Sequence, residues 1–241
     1  ALWDGTVAAL QDRATCARIT LPGFETGPSS TSLDDMCQLL RQIVDRISPN
    51  QPVTLMLHDW GCIFGYEFAM RHPERVAKLA LDAFVWTGEG SPTLAERTKK
   101  LPEFLAKNSR PIDRAFVHSI FNRDHGACAE DIVKDAFADA ILTLDSSMPT
   151  GTYVDMCSKL PVVDPLKITV PTIVLRGEYD GIAGLDDLID FYKLLPNTDK
   201  QFNVMAGISH ASFQQKNYMM VYQILHAYFT QPAPAYTSDG H

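Results

Sequence analysis

Leu55-Met56-Leu57-His58-Asp59-Trp60-Gly61-Cys62-Ile63-Phe64-Gly65 is the stretch whose reading decides the fold. Its first part belongs to Pro52–Leu57, a short β-rich apolar run long enough only for a buried strand. From Gly61 to His72 the pattern turns helical, and Pro73 stops it. The chain therefore passes from strand to helix through a tight turn with a carboxylate, Asp59, at its apex. Such a turn lifts the apical side chain out of a sheet and aims a helix N-terminus at it. Gly61 and Cys62 are expected to supply the small side chains that let helix and strand approach closely.

Outward from this turn, strand and helix patterns alternate. Upstream, Leu2, Val7 and Leu10 space an amphipathic helix, and Thr15–Leu21 reads as a strand running into Pro22-Gly23. Ser32 with Asp35 predicts a cap for a helix ending near Ile47. Downstream, Val76–Phe84 is a second apolar run. After Pro171 come a strand at Thr172–Arg176, a helix at Leu185–Leu195, a strand at Gln201–Met205 and a helix at Tyr218–Phe229. The alternation implies βαβ units and a mostly parallel α/β sheet. The middle carries helical candidates at Leu94–Lys107, Asp113–Asn122, Ala129–Leu144 and Tyr153–Leu160, and no strand of comparable quality. Residues 1–85 and 166–230 are thus read as the core, 86–165 as an inserted helical cap, and 231–241 as a frayed tail.

Two further segments carry chemistry. Val174-Leu175-Arg176-Gly177-Glu178-Tyr179-Asp180 is a strand running into an acidic loop, and Val204-Met205-Ala206-Gly207-Ile208-Ser209-His210 is a strand ending in a histidine. Asp59, Asp180 and His210 all follow strand C-terminal ends, where open parallel sheets bind ligands. In this order and local structure the three segments resemble the nucleophile, acid and histidine of the α/β-hydrolase fold. Leu21-Pro22-Gly23-Phe24 and Arg71-His72-Pro73-Glu74-Arg75-Val76 are similar to further family segments. His58-Asp59-Trp60-Gly61 is most similar to the epoxide hydrolase branch, with haloalkane dehalogenases sharing Asp-Trp-Gly.

The resemblance implies nucleophilic attack by Asp59 on sp³ carbon, a spectator oxygen held by the Trp60 backbone N–H, and ester hydrolysis by water that His210, oriented by Asp180, activates. It implies epoxide hydrolysis to a vicinal diol on a small apolar substrate, with haloalkane dehalogenation and a silent ligand-binding relative as alternatives, and no cofactor or metal. Tyr153 is the expected cap acid, with His118 or His125 as stand-ins for a second, and Trp86 is a further leaving-group donor. Asp82 is the fallback acid.

Each residue also has a structural reading. His58 is expected to bond within the elbow, Trp86 and Cys62 to pack, and Glu178 to serve its turn, while Tyr153 reads equally as ordinary packing within the cap. A helix N-terminus would lower the Cys62 thiol's pKa. Leu57 stands where the family places a small residue, so either the elbow adjusts around it or the site is degraded. The family's third strand, which in its sheet order lies between the strands read at Thr15–Leu21 and Pro52–Leu57, and the His-Gly oxyanion motif that follows it would stand ahead of Ala1, so the sequence reads as a fragment of a longer chain.

Composition sets the outer bounds. The 241 residues are 46% apolar and 21% charged, as in globular proteins. A net charge of −8 argues against nucleic-acid or anionic-membrane partners, and no apolar run is long enough to span a bilayer. Five scattered cysteines without a C-x-x-C pair favour a reducing, cytoplasmic setting.

Overall fold

The computed structural model describes residues 3–12, 14–22, 31–158 and 163–234. Helix α1 spans Asp4–Leu10, and α2 spans Leu33–Ile47. The predicted cap at Ser32 is a reciprocal capping box: its hydroxyl accepts the Asp35 N–H at 3.1 Å while the Asp35 carboxylate accepts the Ser32 N–H at 3.3 Å. There follow β1 (Val53–His58), α3 (Trp60–Arg71) and β2 (Val76–Asp82). After the central insertion come β5 (Thr172–Gly177), α9 (Leu185–Leu194), β6 (Lys200–Met205) and α10 (Tyr218–Thr230).

These strands form a parallel sheet in the order β1-β2-β5-β6, as the βαβ alternation predicts. The period-two alternation of each strand sorts the core into two layers. Leu55 and Leu57 of β1, Leu79 and Leu81 of β2 and Val174 of β5 face α2, α3 and α9. Met56, Ala80, Ile173 and Leu175 face the opposite way, toward α10 and Trp3 before α1. Covering both faces buries most of the two inner strands, β2 and β5, whereas β1, expected to be a buried strand, is half-buried like β6 because among the described residues each pairs on one side alone. The strands' C-terminal ends are left as the open edge where loops can carry chemistry.

The insertion between β2 and β5 holds α4 (Pro92–Thr98), α5 (Leu101–Leu105), α6 (Arg114–Asn122), α7 (Asp131–Leu142) and α8 (Gly151–Ser158). Lys99 and Lys100 divide the single helix expected at Leu94–Lys107 into two. The insertion also contains a ribbon that the sequence did not signal, β3 (Ser109–Pro111) paired antiparallel with β4 (Ser147–Pro149). Three residues are too few for a recognisable alternation, and both strands end in proline.

The strand expected at Thr15–Leu21 does not form. Residues 15–20 are exposed and unladdered, although Leu21 packs on the core. Local alternation favours extended backbone, but a strand needs a hydrogen-bonded neighbour, and among the described residues β1 pairs with β2 alone. Gly23 and Phe24 of the expected loop, Leu2, Leu160 and the tail beyond 234 lie outside the described residues. Among the described residues, no helix is long and apolar enough to cross a membrane.

Candidate active site

The turn after β1 is strained where the chemistry is expected. Asp59 has φ 50° and ψ −125°, a left-handed backbone that a residue with a Cβ adopts at a cost of about 1–3 kcal/mol. Neighbours hold it there: the Asp59 N–H donates to the Asp82 carbonyl at 3.1 Å, and the Asp59 carbonyl accepts the Cys62 N–H at 3.0 Å. The Cys62 thiol donates to that same Asp82 carbonyl at 3.3 Å. Burial pushes this thiol well up, and the Asp82 carboxylate adds to the effect, so the expected lowering by the helix N-terminus is overruled and Cys62 is a packing residue.

Leu57 is accommodated by Gly65, eight residues on in α3. A Cβ on Gly65 would lie 2.1 Å from Leu57 Cδ1, so the absent side chain is the space that the leucine fills. Gly61, expected to allow the close approach, would meet nothing within 4 Å; Gly65 and the buried Cys62 make it instead. The elbow is thus adjusted around Leu57.

The acid and histidine loops are locked to each other. A Cβ on Gly177 would lie 2.6 Å from the Ile208 carbonyl oxygen, so this position must be bare. Glu178 serves the turn as expected, its carboxylate accepting the Gly207 N–H at 2.9 Å, and the Tyr179 N–H donates to the Ile208 carbonyl at 2.9 Å. Asp180, 1% exposed, then faces His210: its Oδ1 lies 3.2 Å from His210 Nδ1 and accepts the Ile182 N–H at 3.0 Å. His210 Nε2 points the other way and lies 3.8 Å from Asp59 Oδ1. That oxygen is buried and accepts no hydrogen bond among the described residues, while the Asp59 side chain as a whole is 35% exposed. The structure thus brings together the three residues singled out by sequence.

Electrostatics follow from this packing. Burial works to lower the His210 pKa, but the Asp180 carboxylate, its hydrogen bond and the Asp59 charge outweigh it and carry the imidazole up to about 9. Burial works to raise Asp180, yet the His210 charge and hydrogen bond and the Ile182 N–H hold it below its ordinary value.

Asp82 is engaged elsewhere. Fully buried, it bonds His58 Nδ1 at 2.9 Å through Oδ2 and accepts the Ser212 hydroxyl at 3.2 Å through Oδ1. His58 is therefore a strand-end residue bonded within the elbow, as its structural reading held, and its ring centroid lies 5.4 Å from that of His210. The Trp60 backbone N–H opens α3, where first-turn donors have no intrahelical acceptor.

In the insertion, the half-buried Tyr153 ring sits 4.9 Å from Phe104 and 3.5 Å from the Arg110 guanidinium, and its hydroxyl makes no hydrogen bond among the described residues. Trp86 is buried against Phe191 and its indole N–H donates to the Val163 carbonyl at 3.3 Å, so that donor is taken and the residue packs. His118 pairs with Asp135 at 3.0 Å and His125 stacks on Tyr179. Among the described residues no group of three or more His, Cys, Asp or Glu is placed to hold a metal.

The model of one protein family, described as the alpha/beta hydrolase fold, matches residues 1–216. The chain belongs to the alpha/beta hydrolase fold family. Solved structures agree on the fold of this hydrolase-fold chain. A hydrolase from Pseudomonas aeruginosa PA01 superposes with a TM-score of 0.71 at 16% identity, covering 95% of this chain and 85% of its own. A thermophilic esterase from Thermogutta terrifontis gives 0.68 at 18% identity, over 95% and 84%. An epoxide hydrolase from Bacillus megaterium, solved with its product, a naphthyloxy propanediol, gives 0.66 at 17% identity, over 95% and 89%. No curated protein sequence matches the chain.

Proposed function

We propose that this chain hydrolyses an epoxide to a vicinal diol through an alkyl ester on Asp59, with residues 86–165 acting as a cap over the core. The observation that carries the reading is the apical group itself. A carboxylate rather than a hydroxyl stands at the strained turn, with an unbonded buried oxygen 3.8 Å from His210 Nε2. A carboxylate is a poor acyl-transfer nucleophile but displaces a leaving group at sp³ carbon. The likeness to esterases is one of fold alone.

In this reading an Asp59 oxygen attacks a ring carbon, the C–O bond breaks, and the alkoxide takes a proton from the Tyr153 hydroxyl, which has no other partner among the described residues. Ester formation removes the Asp59 charge, one of the contributions that hold His210 protonated. The imidazole thereby loses basicity and passes its proton, through solvent, to the Tyr153 phenolate left by ring opening, just when a base is needed. His210 then takes a proton from water, whose oxygen attacks the ester carbonyl of Asp59. The Trp60 N–H stabilises the resulting oxyanion, and collapse expels the diol oxygen, which takes the second proton of that water, leaving Asp59 a carboxylate and His210 protonated as at the start. One epoxide and one water give one diol. Halide release is less well served, because the Trp86 N–H is already bound to Val163.

The test introduces His210→Gln, incubates the protein with an epoxide panel and a haloalkane panel, and reads the peptide containing Asp59 by mass spectrometry. An adduct with the mass of the whole epoxide supports the reading. An alkyl adduct that has lost halide moves it to dehalogenation. No adduct, with the wild type inert on both panels, overturns it in favour of a silent binding protein.

A further inference from the structure

The loop that carries Asp180 is gripped by the central insertion at four consecutive residues. His125 stacks on Tyr179, with ring centroids 4.2 Å apart and planes at 27°. Arg123 Nη2 lies 4.0 Å from Asp180 Oδ1. The Asp124 carboxylate covers Gly181 so closely that a Cβ there would sit 2.5 Å from its Oδ1. From α4, the Arg97 guanidinium donates to the Ile182 carbonyl. Three of these contacts come from the short segment directly after α6, whose own register is fixed by Arg123 donating to Asp124 at 2.7 and 3.0 Å.

We propose that Arg123 is a positioning residue for the triad acid: with Asp124 and His125 it ties the cap to the Asp180 loop, so that docking of the segment after α6 sets how strongly Asp180 serves His210. The proposal rests on the reading of Asp180 and His210 as acid and base given above. Asp180 Oδ1 already accepts from His210 and from the Ile182 N–H, and a guanidinium at 4.0 Å competes for the same oxygen's negative charge. Among the described residues, the titratable and charged groups facing His210 are Asp180 on the loop after β5, Asp59 at the elbow, His58 at the end of β1 and Arg123 after α6. Arg123 is the cation among them, and it lowers the His210 pKa against the two carboxylates. With the segment docked, His210 gives up its proton more readily; with it displaced, Asp180 acts on His210 unopposed.

The experiment labels the histidine rings with carbon-13 and follows the His210 resonance, assigned by its loss in His210→Gln, through a pH titration of the full chain. Arg123→Gln, Arg123→Lys and a control, Arg114→Gln, are compared with wild type. Arg114 is an exposed partner of Asp135 and Asp139 on α7. The expected result is a His210 midpoint at higher pH in Arg123→Gln, returned toward wild type by Arg123→Lys and unmoved by Arg114→Gln. With an epoxide that is turned over, Arg123→Gln lowers kcat near neutral pH by about tenfold with KM unchanged, and the acid limb of the kcat profile moves up in parallel. A His210 midpoint identical in wild type, Arg123→Gln and Arg114→Gln overturns the proposal. The titration needs no substrate, so an inert wild type with a shifted midpoint counts against the epoxide reading and not against the coupling.

Discussion

Replacing Gly65 by alanine tests whether the elbow is built around Leu57. The new Cβ would lie 2.1, 2.6 and 2.8 Å from Leu57 Cδ1, Cδ2 and Cγ, so the whole isobutyl group must turn, not merely a terminal methyl. Overpacking of this kind costs about 1–3 kcal/mol, against a gain of about 1 kcal/mol from replacing a mid-helix glycine by alanine. The net expectation is a loss of about 0–2 kcal/mol. Leu57→Ala alone empties a half-buried site, for about 1–2 kcal/mol. In the double variant the new methyl occupies part of the space vacated, so Leu57→Ala/Gly65→Ala is expected to be more stable than the sum of the singles by about 1–3 kcal/mol. Urea unfolding of the four proteins measures the cycle. Ester formation on Asp59 is measured alongside, because Leu57 lies two residues before the nucleophile and a displacement of about 1 Å can cost roughly 100-fold. Gly65→Ala should be slow and the double variant faster. Singles that add within about 0.5 kcal/mol would refute the lock.

Other expectations follow from the same contacts. Asp59→Asn should prevent ester formation and move the His210 titration to lower pH, since the Asp59 charge is one of those that hold the imidazole protonated; carbon-13 NMR of the ring reads it directly. His210, raised to about 9, contributes stability that is complete below its unfolded pKa of about 6.5 and is lost as pH rises through about 9. Asp180, lowered, contributes stability that is present above an unfolded value of about 3.9 and is lost as pH falls through its folded one. Urea midpoints should therefore decline on both sides of the interval between them. Ser32→Ala removes one half of the capping box and should cost about 1 kcal/mol, read as a lower urea midpoint with unchanged slope. His58→Ala leaves the fully buried Asp82 carboxylate with Ser212 as its one hydrogen-bond partner among the described residues, and should cost about 1–3 kcal/mol by the same assay.

Much of this protein is decided by runs of neighbouring residues, and those parts are legible in the sequence. The Ser32–Asp35 box, Pro73 after α3 and the apolar runs of β1, β2 and β5 fix where elements begin and end, because capping, proline geometry and burial periodicity act over a few residues. The order of Asp59, Asp180 and His210 after β1, β5 and β6 was legible for the same reason, and the parallel sheet then gathers strand ends on one edge. What tertiary structure alone decided are pairings between residues distant in the chain. Thr15–Leu21 alternates like a strand and is none, because among the described residues no ladder partner reaches it. Asp82 bonds His58, 24 positions away, and not His210, and Trp86 spends its N–H on Val163, 77 positions away. Leu57 looks like a flaw until Gly65 is seen beneath it. A side chain's type states what it can donate, accept or fill; which neighbour it meets depends on how the layers pack, and that is a property of the folded chain as a whole.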